Sequence, residues 1–216
     1  KTPKILLKLK SKTLIEHSIS FAKKLSPKNI FIILDRKFNY LEKKVKNCKF
    51  IYQENPLGTG HAVKMFIKKK PKEKKLLILY ADTPFISLNS AKKIINKLSY
   101  SDLVLSTFNS SNNSSYGLVK LNSKNEITQI IEYKNANKKE KKITMCNSGI
   151  MGIGKKNYNN IFRIKKNKIT KEFYLTDIVK ISYRKKLKIK NVSIKNNLFA
   201  KGINTIREFN AIKRIV

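Results

Sequence analysis

The chain has 216 residues, of which 41% are hydrophobic, and a formal net charge of +36. Length and apolar content suit one domain with a proper core and exclude a disordered chain, and no apolar run reaches the length of a membrane span. The lysine excess would suit an anionic partner, but it is spread along the chain and rarely interleaved with aromatic rings, so no specific nucleic-acid ligand is expected; the positive field would still draw in nucleoside triphosphates.

In chain order, residues 4–9 read as short and extended, and residues 12–25 as a helix with Leu14, Ile15, His17, Ser18, Phe21 and Ala22 at helical spacing. Residues 29–34 form a continuous apolar run of the kind buried on both faces. A charged helix is expected next, then a short strand at Lys49–Gln53. Residues 58–70 open on glycines and continue as a helix. Residues 75–80 read as the clearest buried strand. Residues 87–98 have an N-cap serine and helical periodicity, and residues 102–108 form a further strand. The rhythm then changes. Residues 116–122, 127–133 and 148–153 are strand-like with little helix between them, which suggests an antiparallel edge or lobe. Residues 175–184 and 204–215 read as helices, with a strand at 187–194 between them, and 109–115 as a polar loop. Alternating strands and helices predict an α/β fold with a largely parallel sheet.

Two segments carry chemistry. In Tyr80-Ala81-Asp82-Thr83-Pro84 an acidic residue stands where a buried strand stops. Ligands bind at the carboxyl ends of strands in open α/β sheets, and an aspartate there can hold a hard cation that bridges phosphate oxygens. The plainer role for Asp82 is to cap a turn or the next helix. In Gln53-Glu54-Asn55-Pro56-Leu57-Gly58-Thr59-Gly60-His61-Ala62, glycines precede a helix whose N-terminus presents free N–H groups. A Gln side chain offers both donor and acceptor to the edge of a base. The same turn could simply be a tight strand-to-helix connection. His61 reads as an orienting or packing residue. With His17 the only other histidine, a histidine metal site is not expected. Cys48 and Cys146 belong to no Cys/His cluster and read as thiols of a reducing cytoplasm.

Together these segments resemble the bacterial N-acetylglucosamine-1-phosphate uridylyltransferase family. QENPLGTGHAV at 53–63 is similar to its uridine-binding motif and LYADTPFI at 79–86 to its metal-binding motif. In order along the chain, Thr2-Pro3-Lys4, Tyr116-Gly117, Ile131-Glu132-Tyr133-Lys134, Cys146-Asn147-Ser148-Gly149, Glu172-Phe173-Tyr174-Leu175-Thr176-Asp177 and Gly202-Ile203-Asn204 match further family segments. The resemblance implies a Rossmann-like, glycosyltransferase-A-like three-layer α/β sandwich, with a mostly parallel central sheet and a small antiparallel lobe. It implies transfer of UMP from UTP to N-acetylglucosamine-1-phosphate in the cytoplasm, for cell-envelope precursors. By the same resemblance Asp82 and Asn204 would hold Mg²⁺, Lys4 would contact phosphate, and Gln53, Gly58 and Thr59 would surround the uracil. Gly117, Glu132, Asn147 and Tyr174 would hold the sugar and its acetamido group, with Thr176 nearby.

Two features depart from the family. Its Gly-rich loop and first strand, which precede the Pro-Lys pair and would include a central strand, have no counterpart in residues 1–216. Nor does the hexapeptide-repeat β-helix that transfers acetyl groups in many members. Residues 1–216 are therefore expected to form the uridylyltransferase domain without that loop and without acetyltransferase activity, in an oligomeric state left open. Other expectations compatible with the residues are a related nucleotidyltransferase with another base or sugar, a basic RNA-binding protein, and a degenerate enzyme that binds nucleotide sugars.

Overall fold

The computed structural model describes residues 3–83, 85–195, 202–203 and 206–214. Near the start, Pro3 (φ −56°) leads into a 3-10 turn at Lys4–Leu6, closed by hydrogen bonds from Leu6 N to Pro3 O and from Leu7 N to Lys4 O. Residues 4–9, expected to be extended throughout, are thus extended only at their end. There β1 (Lys8–Leu9) pairs with β2 (Lys12–Thr13) around Lys10 at φ 53°. Helix α1 (Leu14–Lys23) follows, with Thr13 and Glu16 forming a reciprocal capping box.

Strands β3 (Phe31–Asp35) and β4 (Lys49–Gln53) pair in parallel, from Phe31↔Lys49 to Asp35↔Gln53. The charged helix expected between them is a 3-10 helix, Arg36–Lys43, kinked at Phe38. Helix α2 (Thr59–Lys68) leads to β5 (Lys75–Ile78), and α3 (Leu88–Lys97) to β6 (Leu103–Asn109). Ser87 caps α3 as the sequence implied, its Oγ accepting from Ser90 N at 3.1 Å. The antiparallel part comprises β7 (Gly117–Leu121), β8 (Ile127–Glu132) and β9 (Met145–Gly154). Short helix α4 (Tyr158–Ile161), α5 (Asp177–Arg184), β10 (Ile189–Ser193) and α6 (Ile206–Lys213) complete the described chain.

The main sheet is mixed. Its order is β10-β6-β9-β7-β8, with β5 on the β7 side of β9. Strands β5, β6 and β10 run one way, as the βα part predicts, and β9 runs against its neighbours. Among the described residues β3 and β4 form a separate ladder, and β5 pairs with β9 alone. Residues 75–80, expected as the clearest buried strand, do form β5, but it stops at Ile78 with Leu76–Ile78 only partly covered. Strand β6 is buried from Leu103 to Phe108 because β10 and β9 flank it on both edges.

Alternation along β6 and β9 splits the core into two faces. Leu103, Leu105, Met151 and Ile153 meet Val63, Phe66 and Ile67 of α2 and Ile178 and Val179 of α5. Val104, Phe108 and Ile150 meet Ile94 and Leu98 on the other side. Each such side chain contributes roughly 1.5–3 kcal/mol on burial. Helices on both faces of a central sheet give the three-layer arrangement, and its antiparallel edge opens the interval in which the candidate site lies.

Candidate active site

Two strands share one edge of β9 and leave an interval between them. Strand β5 ends with Ile78 opposite Met151, whereas β7 enters with Leu118 opposite Cys146. Asn147, Ser148 and Gly149 of β9 therefore flank the interval where β5 has ended and β7 has not begun. Most of the residues singled out in the sequence gather around it.

Beyond β5 the chain turns tightly, Thr83 N donating to Tyr80 O at 3.2 Å, and this turn holds Asp82 half-exposed. Lys4 Nζ lies 2.7 Å from Asp82 Oδ2, so the structure joins two predicted residues that are 78 positions apart. Ile203 N donates to Asp82 O at 2.8 Å, which ties the segment just before Asn204 to the same turn. Asn204 itself, like Pro84, lies outside the described residues.

The Gly58–Gly60 turn begins α2. Gly58, at φ 90° and ψ 176°, occupies a region that glycine alone adopts readily. A Cβ there would come within 2.8 Å of Phe173 O, and one at Gly60 within 2.9 Å. The close approach that these glycines permit is thus made by the protein's own backbone. Gly60 N donates to Phe173 O and Phe173 N donates to Leu57 O, both at 2.8 Å. Thr59 is exposed, but its Oγ1 accepts from Leu175 N at 3.2 Å. Gln53, only 7% exposed at the end of β4, places Nε2 2.7 Å from His61 Nδ1. Burial, with Lys68 and Lys64 nearby, pushes the His61 imidazole below its ordinary value, so the neutral ring can accept from the amide. The orienting role expected of His61 has this contact as its geometry.

Gly117, Glu132 and Asn147 converge. A Cβ on Gly117 would lie 3.7 Å from Glu132 Oε1 and 3.8 Å from Asn147 Cβ, while Ile130 Cγ2 at 2.6 Å leaves it no room. Thr176 Oγ1 donates to Glu132 Oε1 at 3.2 Å. Burial raises the Glu132 carboxyl above its ordinary value; the Thr176 hydrogen bond and Lys134 oppose the shift, and Asp177 adds to it. Asn147 Oδ1 is buried without a hydrogen-bond partner among the described residues. Such an atom costs about 1–3 kcal/mol unless a ligand or water supplies a donor. Tyr174 stands apart from this group: its hydroxyl donates to Thr170 Oγ1 at 2.8 Å and accepts from Lys134 Nζ at 3.1 Å.

The sequence model of the MobA-like NTP transferase domain matches residues 1–139. The chain belongs to that family. It is 33% identical over 216 residues to the bifunctional protein GlmU of Buchnera aphidicola subsp. Baizongia pistaciae, an alignment covering 99% of this chain and 48% of that one. The chain thus spans about half the length of the curated relatives it matches. Among solved structures, a nucleoside-diphosphate-sugar pyrophosphorylase from Vibrio cholerae superposes with a TM-score of 0.72 at 17% identity, over 99% of this chain and 92% of that one. A UDP-glucose pyrophosphorylase complexed with UDP-glucose gives 0.72 at 16%, over 99% and 89%. These two likenesses bear on the fold.

Three residues at the candidate site stand in segments quoted from the sequence but were given no role there. The Tyr80 phenol is pushed up to about 12 by burial, with the Thr59 side chain opposing the shift. Gly149, at φ 94°, lets the backbone lie against the Tyr80 ring, where a Cβ would meet Cδ2 at 2.8 Å. Phe173 supplies the backbone that clamps the Gly58–Gly60 turn. The signals were present: an aromatic two residues before the acidic position, and an aromatic inside the Glu172–Asp177 run. Two shallow hollows of the surface, around Lys28 and Asn47 and around Lys74 and Lys188, include none of the site residues. The first has no carboxylate in its lining. In the second, Asp102 already accepts from Lys188 N at 2.9 Å, so neither assembles comparable chemistry.

Proposed function

We propose that this protein transfers UMP from UTP to N-acetylglucosamine-1-phosphate, releasing pyrophosphate and forming UDP-N-acetylglucosamine for cell-envelope precursors. Asn147 carries this reading. Its buried, unpartnered Oδ1, beside Gly117 and Glu132, suits a donor such as an acetamido N–H or a sugar hydroxyl. Gln53, with His61 fixing its amide, and the Gly58–Thr59 backbone would receive the uracil. Tyr174 and Thr176 would border the sugar, and Lys4 would meet phosphate.

Asp82 and Asn204 would hold Mg²⁺. Asp82 suits this role: it offers a half-exposed carboxylate, and one of its oxygens already holds a cationic group, the Lys4 ammonium, at 2.7 Å. Magnesium is commonly bound by one or two carboxylates together with substrate phosphates. When bound, it would neutralise and orient the phosphate oxygens. The sugar phosphate arrives already anionic, so no general base is needed. Its oxygen forms a bond to the α-phosphorus of UTP in line, the bond from that phosphorus to the bridging oxygen breaks, and pyrophosphate leaves. Lys4 and the lysine-rich surround lower the repulsion between the two anions.

Both cysteines are free thiols, and no helix among the described residues is long and apolar enough to cross a membrane. The thiols suit the cytoplasmic setting we assign. Within residues 1–216 the proposal is limited to nucleotidyl transfer. Substrate competition tests the finer assignment. With UTP, dTTP and CTP against N-acetylglucosamine-1-phosphate and glucose-1-phosphate, the uracil and N-acetyl pair should turn over fastest. Preference for another pair would keep nucleotidyl transfer and overturn the choice of base or sugar.

A further inference from the structure

Thr59 lies in the turn assigned to the nucleotide, yet its side chain reaches the segment assigned to the sugar. Its Oγ1 accepts from Leu175 N at 3.2 Å. A threonine hydroxyl accepts through its lone pairs, so this bond leaves its proton free to donate elsewhere. Two backbone bonds flank this contact, from Phe173 N to Leu57 O and from Gly60 N to Phe173 O. The Phe173 ring is held from α2 as well, with Lys64 Nζ 3.8 Å from its centroid and the His61 ring stacked at 6.1 Å. Leu175 is fully buried, and Tyr174 and Thr176 stand on either side of it.

We propose that Thr59 is a positioning residue for the sugar phosphate: its hydroxyl fixes Leu175, and through Leu175 it sets where Tyr174 and Thr176 meet the sugar. This rests on the substrate assignment above and adds a role to a residue placed there beside the uracil. Gly60 and Phe173 form the backbone half of the same clamp. One turn thereby serves both substrates, its backbone facing the base and one hydroxyl holding the sugar-side segment.

Thr59→Val replaces the hydroxyl with a methyl of similar shape, and Thr59→Ser restores the hydroxyl. In the full-length protein, Val should raise KM for N-acetylglucosamine-1-phosphate about ten-fold, the scale of one lost hydrogen bond. The KM for UTP should change less than about three-fold on the same scale, and Ser should recover both values. Amide exchange at Leu175 should quicken in Val and return toward wild type in Ser. A Val variant that loses UTP affinity alone, or leaves Leu175 exchange unchanged, overturns the proposal. Wild-type protein that turns over neither substrate overturns the substrate assignment instead, and the exchange arm still decides whether Thr59 holds Leu175.

Discussion

The corner proposed for phosphate and the cluster proposed for the sugar are built in opposite ways. At the corner, Lys4 and Asp82 come from a 3-10 turn and a loop, stand half-exposed, and neutralise each other across 2.7 Å. In the cluster, Gly117, Glu132 and Asn147 come from paired strands, and one acceptor lies buried with no partner. Charge acts over distance and tolerates a turn as its mount. Selection by hydrogen bonds requires groups fixed by packing and shielded from water. The corner should therefore yield large losses of rate with little change in stability, whereas around the cluster affinity and folding should move by separable amounts.

The largest effect expected is at the corner. Asp82→Ala should lower turnover on the order of 10³-fold, as for loss of a metal ligand. Its melting temperature should barely move, because a half-exposed ion pair contributes at most about 1 kcal/mol. Near-normal turnover would remove Asp82 from the metal site, and marked unfolding would break the contrast between the two regions. Gly58→Ala should act on stability first. Strain at φ 90° and the 2.8 Å approach to Phe173 O together cost about 2–5 kcal/mol, readable by denaturant unfolding.

Asn147→Ala sharpens the comparison within the cluster. Its Oδ1 has no partner to lose among the described residues, so stability should hold, while KM for the sugar phosphate should rise about ten-fold. A smaller effect is expected from Glu132→Gln. Burial raises the Glu132 carboxyl above its ordinary 4.5, so the acid limb of the wild-type rate should lie above that value, and Gln should flatten it. The sign for stability is opposite to that of a carboxylate depressed by a salt bridge. A carboxylate with a raised folded-state value penalises the fold once ionised, and the penalty fades as pH falls from that value towards the unfolded one, below which it is gone. Glu132→Gln should thus melt no lower than wild type near pH 7, with the difference closing as pH falls towards about 4.5.

Strand and helix positions were largely legible, because apolar runs and helical spacing report burial directly: Lys49–Gln53 was read to the residue, and Ser87 was read as a cap. The Thr13-x-x-Glu16 capping box was equally plain in the sequence and went unread. Residues 4–6 misled because apolar content alone does not show that Pro3 starts a 3-10 turn. For the site, the family resemblance singled out Lys4, Gly117, Glu132 and Asn147 beside Asp82, but their convergence depends on where β5 stops along β9. The partners that hold them were less legible. That Gly58 and Gly60 make room for Phe173, and that Thr59 reaches Leu175 116 residues later, are facts of long-range packing with no local pattern.

The most direct test of the central claim is pyrophosphate release by the full-length protein from UTP and N-acetylglucosamine-1-phosphate with Mg²⁺, in wild type and Asp82→Ala. Release that requires both substrates and is lost in the variant is the predicted result. Folded wild-type protein that releases no pyrophosphate from this pair, or releases it equally without the sugar phosphate, would contradict it.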